Sequence, residues 1–135
     1  LRENAPSSTD TLRRLPRRAA SAMPALYSSV DMLVVPTRYE AFGYAALEAM
    51  ACGLPVVGFA STGTEEVCEA GTTALLSAVD DVPALVANIR RLAEDPGLRA
   101  QLGRAGRIRA TSQFNEDTAL QKYLQAYQQL IDARG

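Results

Sequence analysis

Short apolar runs alternate with helix-forming stretches through the first half of the chain. Three continuous apolar runs bounded by Asp, Pro or Gly predict strands buried on both faces of a sheet, at residues 32–35, 55–60 and 74–77. Helices are predicted before and between these strands, at residues 24–29, 45–52 and 64–71, with Gly71 in the C-terminal stop position of the last. This alternation predicts a parallel sheet with right-handed crossovers.

The rest of the chain has only helical patterns. Asp81 is a predicted N-cap, with Pro83 in the first turn of a helix that runs to about Ala93. Asp95 and Pro96 start a second helix, which runs to about residue 110. Asn115 caps a predicted last helix, residues 117–132, with an apolar stripe formed by Leu120, Leu124, Tyr127 and Ile131.

These elements predict an α/β protein with a partial doubly wound, Rossmann-like parallel sheet and C-terminal helices. Three strands are few, since such domains usually have about six. The run Met32–Val35 predicts burial on both faces, yet residues 1–20 show no strand pattern to pair with it. We therefore expect strands to be missing on the N-terminal side, although residues 1–20 could instead fold over the edge. A bare edge at 32–35 predicts instability or self-association.

Length and charge place the chain among single soluble domains. Its 135 residues fit one domain, and a net charge of −1 gives no reason to expect nucleic acid. We divide it into an arginine-rich segment, residues 1–21, and a partial domain, residues 22–135. Because the chain begins with Leu1, we expect a processed N-terminus or a piece of a longer protein. Four arginines cluster around Pro16 and form either a solvated segment or a patch for anionic lipid headgroups: Arg13, Arg14, Arg17 and Arg18.

The absence of histidine excludes the Ser-His-Asp and Cys-His nucleophile systems and most zinc sites. Cys52 and Cys68 suit a reducing compartment and are expected to be small buried side chains. No apolar run approaches the roughly 20 residues of a spanning helix, and no signal peptide is visible. We expect a cytoplasmic protein, free or at the inner face of the membrane. The acidic pair Asp80 and Asp81 is interpreted as a loop and a helix cap, so no metal and no cofactor are expected.

The stretch most informative about function runs from residue 36 to residue 57. A predicted buried strand ends at Pro36, and the following loop carries Glu40. Gly43 then precedes a helix that carries Glu48. Ligands of open α/β sheets bind outside the carboxyl ends of the strands, which is where this loop is expected to lie.

The residue types along this stretch suit a phosphorylated sugar. Gly43 lets a ligand approach the backbone closely. The free amides of Tyr44, Ala45 and Ala46 would favour an anion such as phosphate by about 0.3–2 kcal/mol from the helix dipole alone. A carboxylate such as Glu48 accepts two hydroxyl groups at once, as vicinal ribose hydroxyls offer, at about 1.5–3 kcal/mol for each charged bond.

Glu40 precedes the helix and could reach a hydroxyl of a sugar attached beyond the phosphates. Each residue also has a simpler interpretation. Glu40 could be a loop carboxylate in water, Glu48 a solvated helix position, and Gly43 a plain turn. Their arrangement at the end of one buried strand favours the functional interpretation.

The segment "EAFGYAALEAMACGLPVV", residues 40–57, closely resembles the E-x7-E signature of the retaining glycosyltransferases of family 4. Glu40 and Glu48 are its two glutamates. Downstream, "STGTEEV" resembles the family's glycine-bearing loop, with Gly63 and Glu66 in the matching places, although Thr62 replaces a usual glycine. The regions "EAGTTALL", "LAEDPGLRAQLGRAGR" and "FNEDTALQKYLQAYQQL" extend the resemblance to about residues 22–131.

The resemblance implies a two-domain GT-B enzyme of which this chain is the C-terminal, donor-binding half. Its substrate would be a nucleotide-sugar such as a UDP- or GDP-sugar, with no metal. By position, Glu48 would bind the ribose and Glu40 would be the catalytic candidate that binds hydroxyls of the donor sugar. The remaining donor-binding positions would be Phe42, Gly43, Tyr44, Ala45 and Gly63.

One part of the family pattern is missing. The Arg and Lys that neutralise the diphosphate, in a G-x-L-x-x-x-K-G-type segment, have no match here, and neither has the acceptor-binding N-terminal domain. We therefore expect little or no activity from this chain alone, and the acceptor stays unknown. The alternatives are a non-catalytic binding or interaction module, or a related GT-B enzyme such as a nucleotide-sugar epimerase. The missing histidines and the close E-x7-E match speak against the epimerase.

Overall fold

The structure, a computed structural model, describes residues 14–133. Every predicted strand and helix is present within this range. A 3-10 turn at Ala20–Ala22 leads into the first helix, and Arg14, Arg17 and Arg18 lie exposed ahead of it. Arg13 lies outside the described residues. The elements are, in chain order, α1 (Met23–Ser28), β1 (Leu33–Val35), α2 (Tyr44–Ala51), β2 (Val56–Phe59), α3 (Thr62–Val67), β3 (Ala74–Ser77), α4 (Val82–Glu94), α5 (Pro96–Gln113) and α6 (Glu116–Asp132).

The three strands form one parallel sheet in the order β1-β2-β3. Val56 pairs with Leu33 on one side and with Ala74 on the other. Consecutive parallel strands need crossovers, which α2 and α3 provide. The predicted α/β class and parallel sheet are confirmed.

Helices cover both faces of the central strand. Val56 and Val57 are both fully buried, and because neighbouring residues of a strand point to opposite faces they belong to two separate apolar clusters. Val56 packs with residues of α1, α2 and α5, whereas Val57 packs with Leu85 and Leu92 of α4. This is the two-sided covering of a doubly wound sheet.

The edge strand β1 departs from the prediction that Met32–Val35 is buried on both faces. Val35 is 6% exposed, but Val34 is 39% exposed. Val34 lies on the same face as Val57, which α4 covers, and α4 packs on β2 and β3. Among residues 14–133, no helix therefore covers the face of β1 that carries Val34, contrary to what the continuous apolar run implied.

The prediction for α3 was wrong at both ends. The helix spans Thr62–Val67 rather than 64–71, and Cys68 is already extended with ψ 144°. Gly71 does have a positive φ of 80°, but it lies in a turn whose N–H bonds the Ala74 carbonyl at 2.8 Å. The chain leaves the helix early because these residues form the turn that starts β3.

The three N-caps predicted for the last helices are confirmed. The side chains of Asp81, Asp95 and Asn115 accept backbone hydrogen bonds at 3.0, 2.8 and 2.7 Å from residues three positions later. Each cap satisfies one of the free amides at its helix start.

The long helix α5 packs closely on the end of α2 because it carries glycine inside the helix. A Cβ at Gly103 would overlap the carbonyl oxygen of Gly53, and one at Gly106 would lie 3.1 Å from the Met50 side chain. Gly53 lies two positions after the end of α2, and Met50 lies in its last turn. Helix α5 therefore packs against the C-terminal end of the helix that carries Glu48.

The last helix, α6, is differently placed. It contains no buried residue, and the predicted stripe is 53–65% exposed. The amphipathic helix itself is confirmed, but its apolar face has no cover among residues 14–133.

Candidate functional site

Helix α2 starts from a left-handed glycine at the carboxyl end of β1. Gly43, the N-cap residue, has φ 89° and ψ 38°, and no side chain caps the helix. The first bond of the helix joins the Leu47 N–H to the Gly43 carbonyl at 2.9 Å. The amides of Tyr44, Ala45 and Ala46 therefore have no hydrogen-bond partner in the described part of the chain. Tyr44 and Ala45 are exposed, so their N–H groups are open to an anion, whereas Ala46 is fully buried.

The loop before α2 lies directly on the start of α3, backbone against backbone. The Gly63 N–H donates to the Glu40 carbonyl at 2.9 Å. A Cβ at Gly63 would overlap the Glu40 carbonyl oxygen and the Phe42 amide nitrogen, and one at Gly43 would come within 2.7 Å of the Gly63 carbonyl oxygen. Glycine is thus required at positions 43 and 63 for the two loops to meet.

Glu48 lies on the flank of α2 that faces α1. Its carboxylate Oε2 accepts a hydrogen bond from the Tyr27 hydroxyl at 3.0 Å. Tyr27 is only 6% exposed; burial, and then its bond to Glu48, raises the pKa of the phenol to about 12. Tyr27 therefore stays a donor at neutral pH, while Oε1 of Glu48 has no partner among residues 14–133. This arrangement orients the carboxylate and leaves it able to accept further hydroxyl groups.

A small concavity lies beside Glu48 between the two helices. Its volume is about 220 Å³, and α1 contributes mostly apolar side chains to it. Its lining includes Met23, Pro24 and Tyr27 from α1, and Glu48, Ala51 and Cys52 in or next to α2.

A larger concavity of about 710 Å³ lies on the opposite flank of α2. Phe42 and Tyr44, whose ring centroids are 4.9 Å apart, form one wall, and Lys122 and Tyr123 of α6 lie on another. Glu40 lies outside both concavities; it is half-buried.

The structure thus brings together five of the predicted site residues around one junction: Glu40, Phe42, Gly43, Tyr44 and Gly63. Ala45 is exposed in the first turn, and Glu48 lies on the far flank of the same helix. Glu40 and Glu48 do not share either of the two concavities. Which of these residues contact a ligand stays a prediction.

Arg109 of α5 was not found by sequence reasoning. Its Nε donates to the Val67 carbonyl at 2.7 Å, and an Nη donates to the Glu66 carbonyl at 3.4 Å, so it closes the end of α3. The guanidinium also lies 5.6 Å from the centroid of Phe114, which packs edge-on against Phe42 at 6.0 Å. Arg109 therefore links α3 to the loop before α2, although 42 positions separate it from Val67 and no local pattern marks it.

The cysteines have different environments. Cys68 is 3% exposed, and its burial raises the thiol pKa to about 11, as expected for a small core side chain. Cys52 is half-buried beside Glu48. Within residues 14–133, no cluster of three or more His, Cys, Asp or Glu side chains could hold a metal ion, and no helix has the length and hydropathy to cross a membrane.

Comparison with protein families gives a match to the family described as "Glycosyl transferases group 1" over residues 9–109. A D-inositol 3-phosphate glycosyltransferase of Salinispora arenicola is 35% identical over 127 residues, covering 94% of this chain and 28% of the relative. A glycogen synthase of Mycobacterium tuberculosis is 38% identical over 103 residues, covering 76% of this chain and 25% of the relative. The chain therefore spans about a quarter of the length of these relatives.

Two solved structures resemble this fold with a TM-score of 0.70 each. Sucrose-phosphate synthase from Thermosynechococcus elongatus is 39% identical over 80% of this chain and 27% of its own. HepE of Anabaena, solved in complex with UDP and glucose, is 26% identical over 78% of this chain and 29% of its own.

Proposed function

Because this chain belongs to the glycosyl transferases group 1 family, whose structural relatives here are GT-B glycosyltransferases, we propose that it forms the donor-binding part of a retaining glycosyltransferase of family 4. In this proposal the donor is a nucleotide-sugar, and the chain supplies one wall of its site. The acceptor and the other wall belong to the rest of the protein.

The start of α2 carries the proposal. The unpaired amides of the exposed residues Tyr44 and Ala45 open the helix, and the N-cap residue, Gly43, has no side chain that could bond to them. A diphosphate placed there accepts hydrogen bonds from these amides and lies at the positive end of the helix dipole. The contact between Gly43 and Gly63 fixes the turn before any ligand arrives, so binding does not have to order it.

The nucleoside lies on the Glu48 flank of α2 in this proposal. Glu48 accepts the vicinal ribose hydroxyls with the carboxylate that Tyr27 orients. The concavity between α1 and α2 offers Met23 and Pro24 as an apolar surface for part of the nucleoside. The UDP in the HepE complex supports a nucleoside diphosphate as the ligand class.

The donor sugar lies toward Glu40, whose side chain binds its hydroxyls. Transfer develops positive charge on the sugar, as in glycoside cleavage, and negative charge on the leaving diphosphate. The amides at the start of α2 stabilise that negative charge because they point at it before the reaction starts. The basic pair expected to assist them is not in this sequence, so we propose little transferase activity for the chain alone.

Calorimetry on the full-length protein tests the proposal, with UDP and GDP as ligands. Glu48→Ala removes one or more charged hydrogen bonds and should weaken the affinity for the nucleotide that binds by about 10- to 100-fold. Glu94→Ala, at an exposed position at the end of α4, is the matched control and should change affinity less than threefold. Equal losses in the two variants would refute the ribose assignment. Failure of the unaltered protein to bind either nucleotide would contradict nucleotide binding itself.

A further inference from the structure

The loop that carries Glu40 has few connections to the rest of the domain. Within the described part of the chain, residues 38–42 make one backbone hydrogen bond to another segment: the Glu40 carbonyl accepts it from the Gly63 N–H. On the side nearer β1, the Thr37 hydroxyl is buried without a partner in the described part of the chain, and Tyr39 is 95% exposed. The backbone therefore holds the later part of this loop but not its beginning.

An ion pair connects the beginning of this loop to the loop that follows β3, the strand at the other edge of the sheet. Arg38 Nε donates to Asp80 Oδ1 at 2.5 Å, across 42 positions of sequence. Arg38 follows β1 and Asp80 follows β3, with β2 between them. Because the pair joins the loops that follow the two strands on either side of β2, it lies at the carboxyl end of the sheet. Ligands of parallel sheets bind at this edge.

Asp80, which makes this contact, also holds an uncommon backbone conformation. With φ 69°, it is the only non-glycine residue of 14–133 with a positive φ. Glycine adopts this conformation without cost, and aspartate tolerates it better than most residues. A glycine would therefore serve the turn as well or better, so the turn alone gives no reason for the carboxylate that reaches Arg38.

We propose that Arg38 and Asp80 are a positioning pair for Glu40. Their ion pair fixes the beginning of the loop, the Gly63 bond fixes its end, and Glu40 is thereby held toward the sugar of the donor. This inference rests on the proposed function and extends it to two residues that need not touch the substrate. Both side chains are more than half exposed, so the effect is modest and sensitive to salt.

The pair has a test that separates positioning from stability. In the full-length protein, Arg38→Ala and Asp80→Gly should each weaken binding of the nucleotide-sugar, found by screening UDP- and GDP-sugars, by about two- to fivefold. Affinity for the corresponding free nucleotide should not change, because Glu40 contacts the sugar. The double variant should lose no more than either single variant, since both remove the same contact. Asp80→Gly should melt at the same or a higher temperature, because glycine suits φ 69°.

The matched control is Arg104→Ala, which replaces an exposed arginine on α5, away from the ion pair. This variant should behave like the unaltered protein. In 1 M NaCl the difference in affinity between the unaltered protein and the variants, all measured at that salt, should disappear, because the Debye length is then about 3 Å. Single variants that bind the nucleotide-sugar as Arg104→Ala does, or a double variant that multiplies the two losses, would overturn the positioning pair. So would equal weakening of free-nucleotide binding. A protein that binds no UDP- or GDP-sugar would instead contradict the proposed function, and this inference with it.

Discussion

The start of α2 and the helix α6 differ in how closely the rest of the domain packs against them. At the start of α2, backbone lies on backbone between Gly43 and Gly63, and Ala46, Ala49 and Met50 behind it are fully buried. Helix α6 is longer and amphipathic, yet none of its residues is buried. Residues 14–133 therefore pack closely around the start of α2, whereas they leave α6 uncovered. Substitutions near the start of α2 should consequently lower the free energy of unfolding, whereas substitutions in α6 should mainly affect self-association.

The largest effect is expected at Gly63. In Gly63→Ala the new Cβ overlaps backbone atoms of Glu40 and Phe42, which cannot move as a flexible side chain can. We expect the free energy of unfolding to fall by about 3 kcal/mol, near the upper end for overpacked sites. Urea denaturation of the full-length protein measures this loss.

Gly71→Ala is the control for Gly63. It has φ 80° but open space around its Cβ, so it should cost only about 1 kcal/mol. Gly63 has no positive φ, so a loss at position 63 no larger than that at position 71 would contradict the close approach of the two loops as the reason for glycine there.

The next largest effect is expected at Arg109, which links α3 to the same corner. Arg109→Ala leaves the Val67 and Glu66 carbonyls without their donor and removes the contact with Phe114. We expect a loss of about 2 kcal/mol in unfolding free energy. Arg109→Lys should lose less stability than Arg109→Ala, because the lysine ammonium can donate to one of the two carbonyls but lacks the planar guanidinium that reaches both. A loss no larger than that of the exposed Arg104→Ala would contradict this link.

The smallest effect on stability is expected in α6. Leu124→Gln, at a 53% exposed position, should change the free energy of unfolding by less than about 0.5 kcal/mol. Leu92→Gln, at a fully buried position of α4, is the comparison and should lower the free energy of unfolding by about 2 kcal/mol.

The exposed apolar residues of α6 and of the edge strand β1 should promote self-association of the chain. We expect this 135-residue chain to associate or precipitate on size-exclusion chromatography, because Val34 and the stripe of α6 are exposed together. Val34→Lys combined with Leu124→Gln should shift it toward the monomer. A clean, cooperative monomer of the unaltered chain would contradict this expectation.

The sequence predicted what depends on local patterns. All three strands were found from short apolar runs, and Asp81, Asp95 and Asn115 were identified as caps because a cap bonds an amide only three residues away. The end of α3 and the exposure of Val34 were predicted wrongly because both depend on packing between elements distant along the chain. A short segment does not show whether α4 reaches β1.

The same division applies to the site. The resemblance named Gly43 and Gly63, and the structure shows why glycine must stand at both: their backbones touch. It did not reveal Tyr27 or Arg109, whose partners lie 21 and 42 positions away. Such residues act on the site through other groups, and no spacing along the sequence marks them.

The claim that the start of α2 receives a diphosphate can be tested directly by nuclear magnetic resonance on the isotope-labelled full-length protein. Adding the nucleoside diphosphate that binds should shift the backbone amide signals of Tyr44 and Ala45 strongly, because each N–H gains an anionic acceptor. The matching nucleoside, which lacks phosphates, should leave them nearly unchanged. If both ligands shift these signals equally, or neither does while binding still occurs, the diphosphate does not lie at this helix start.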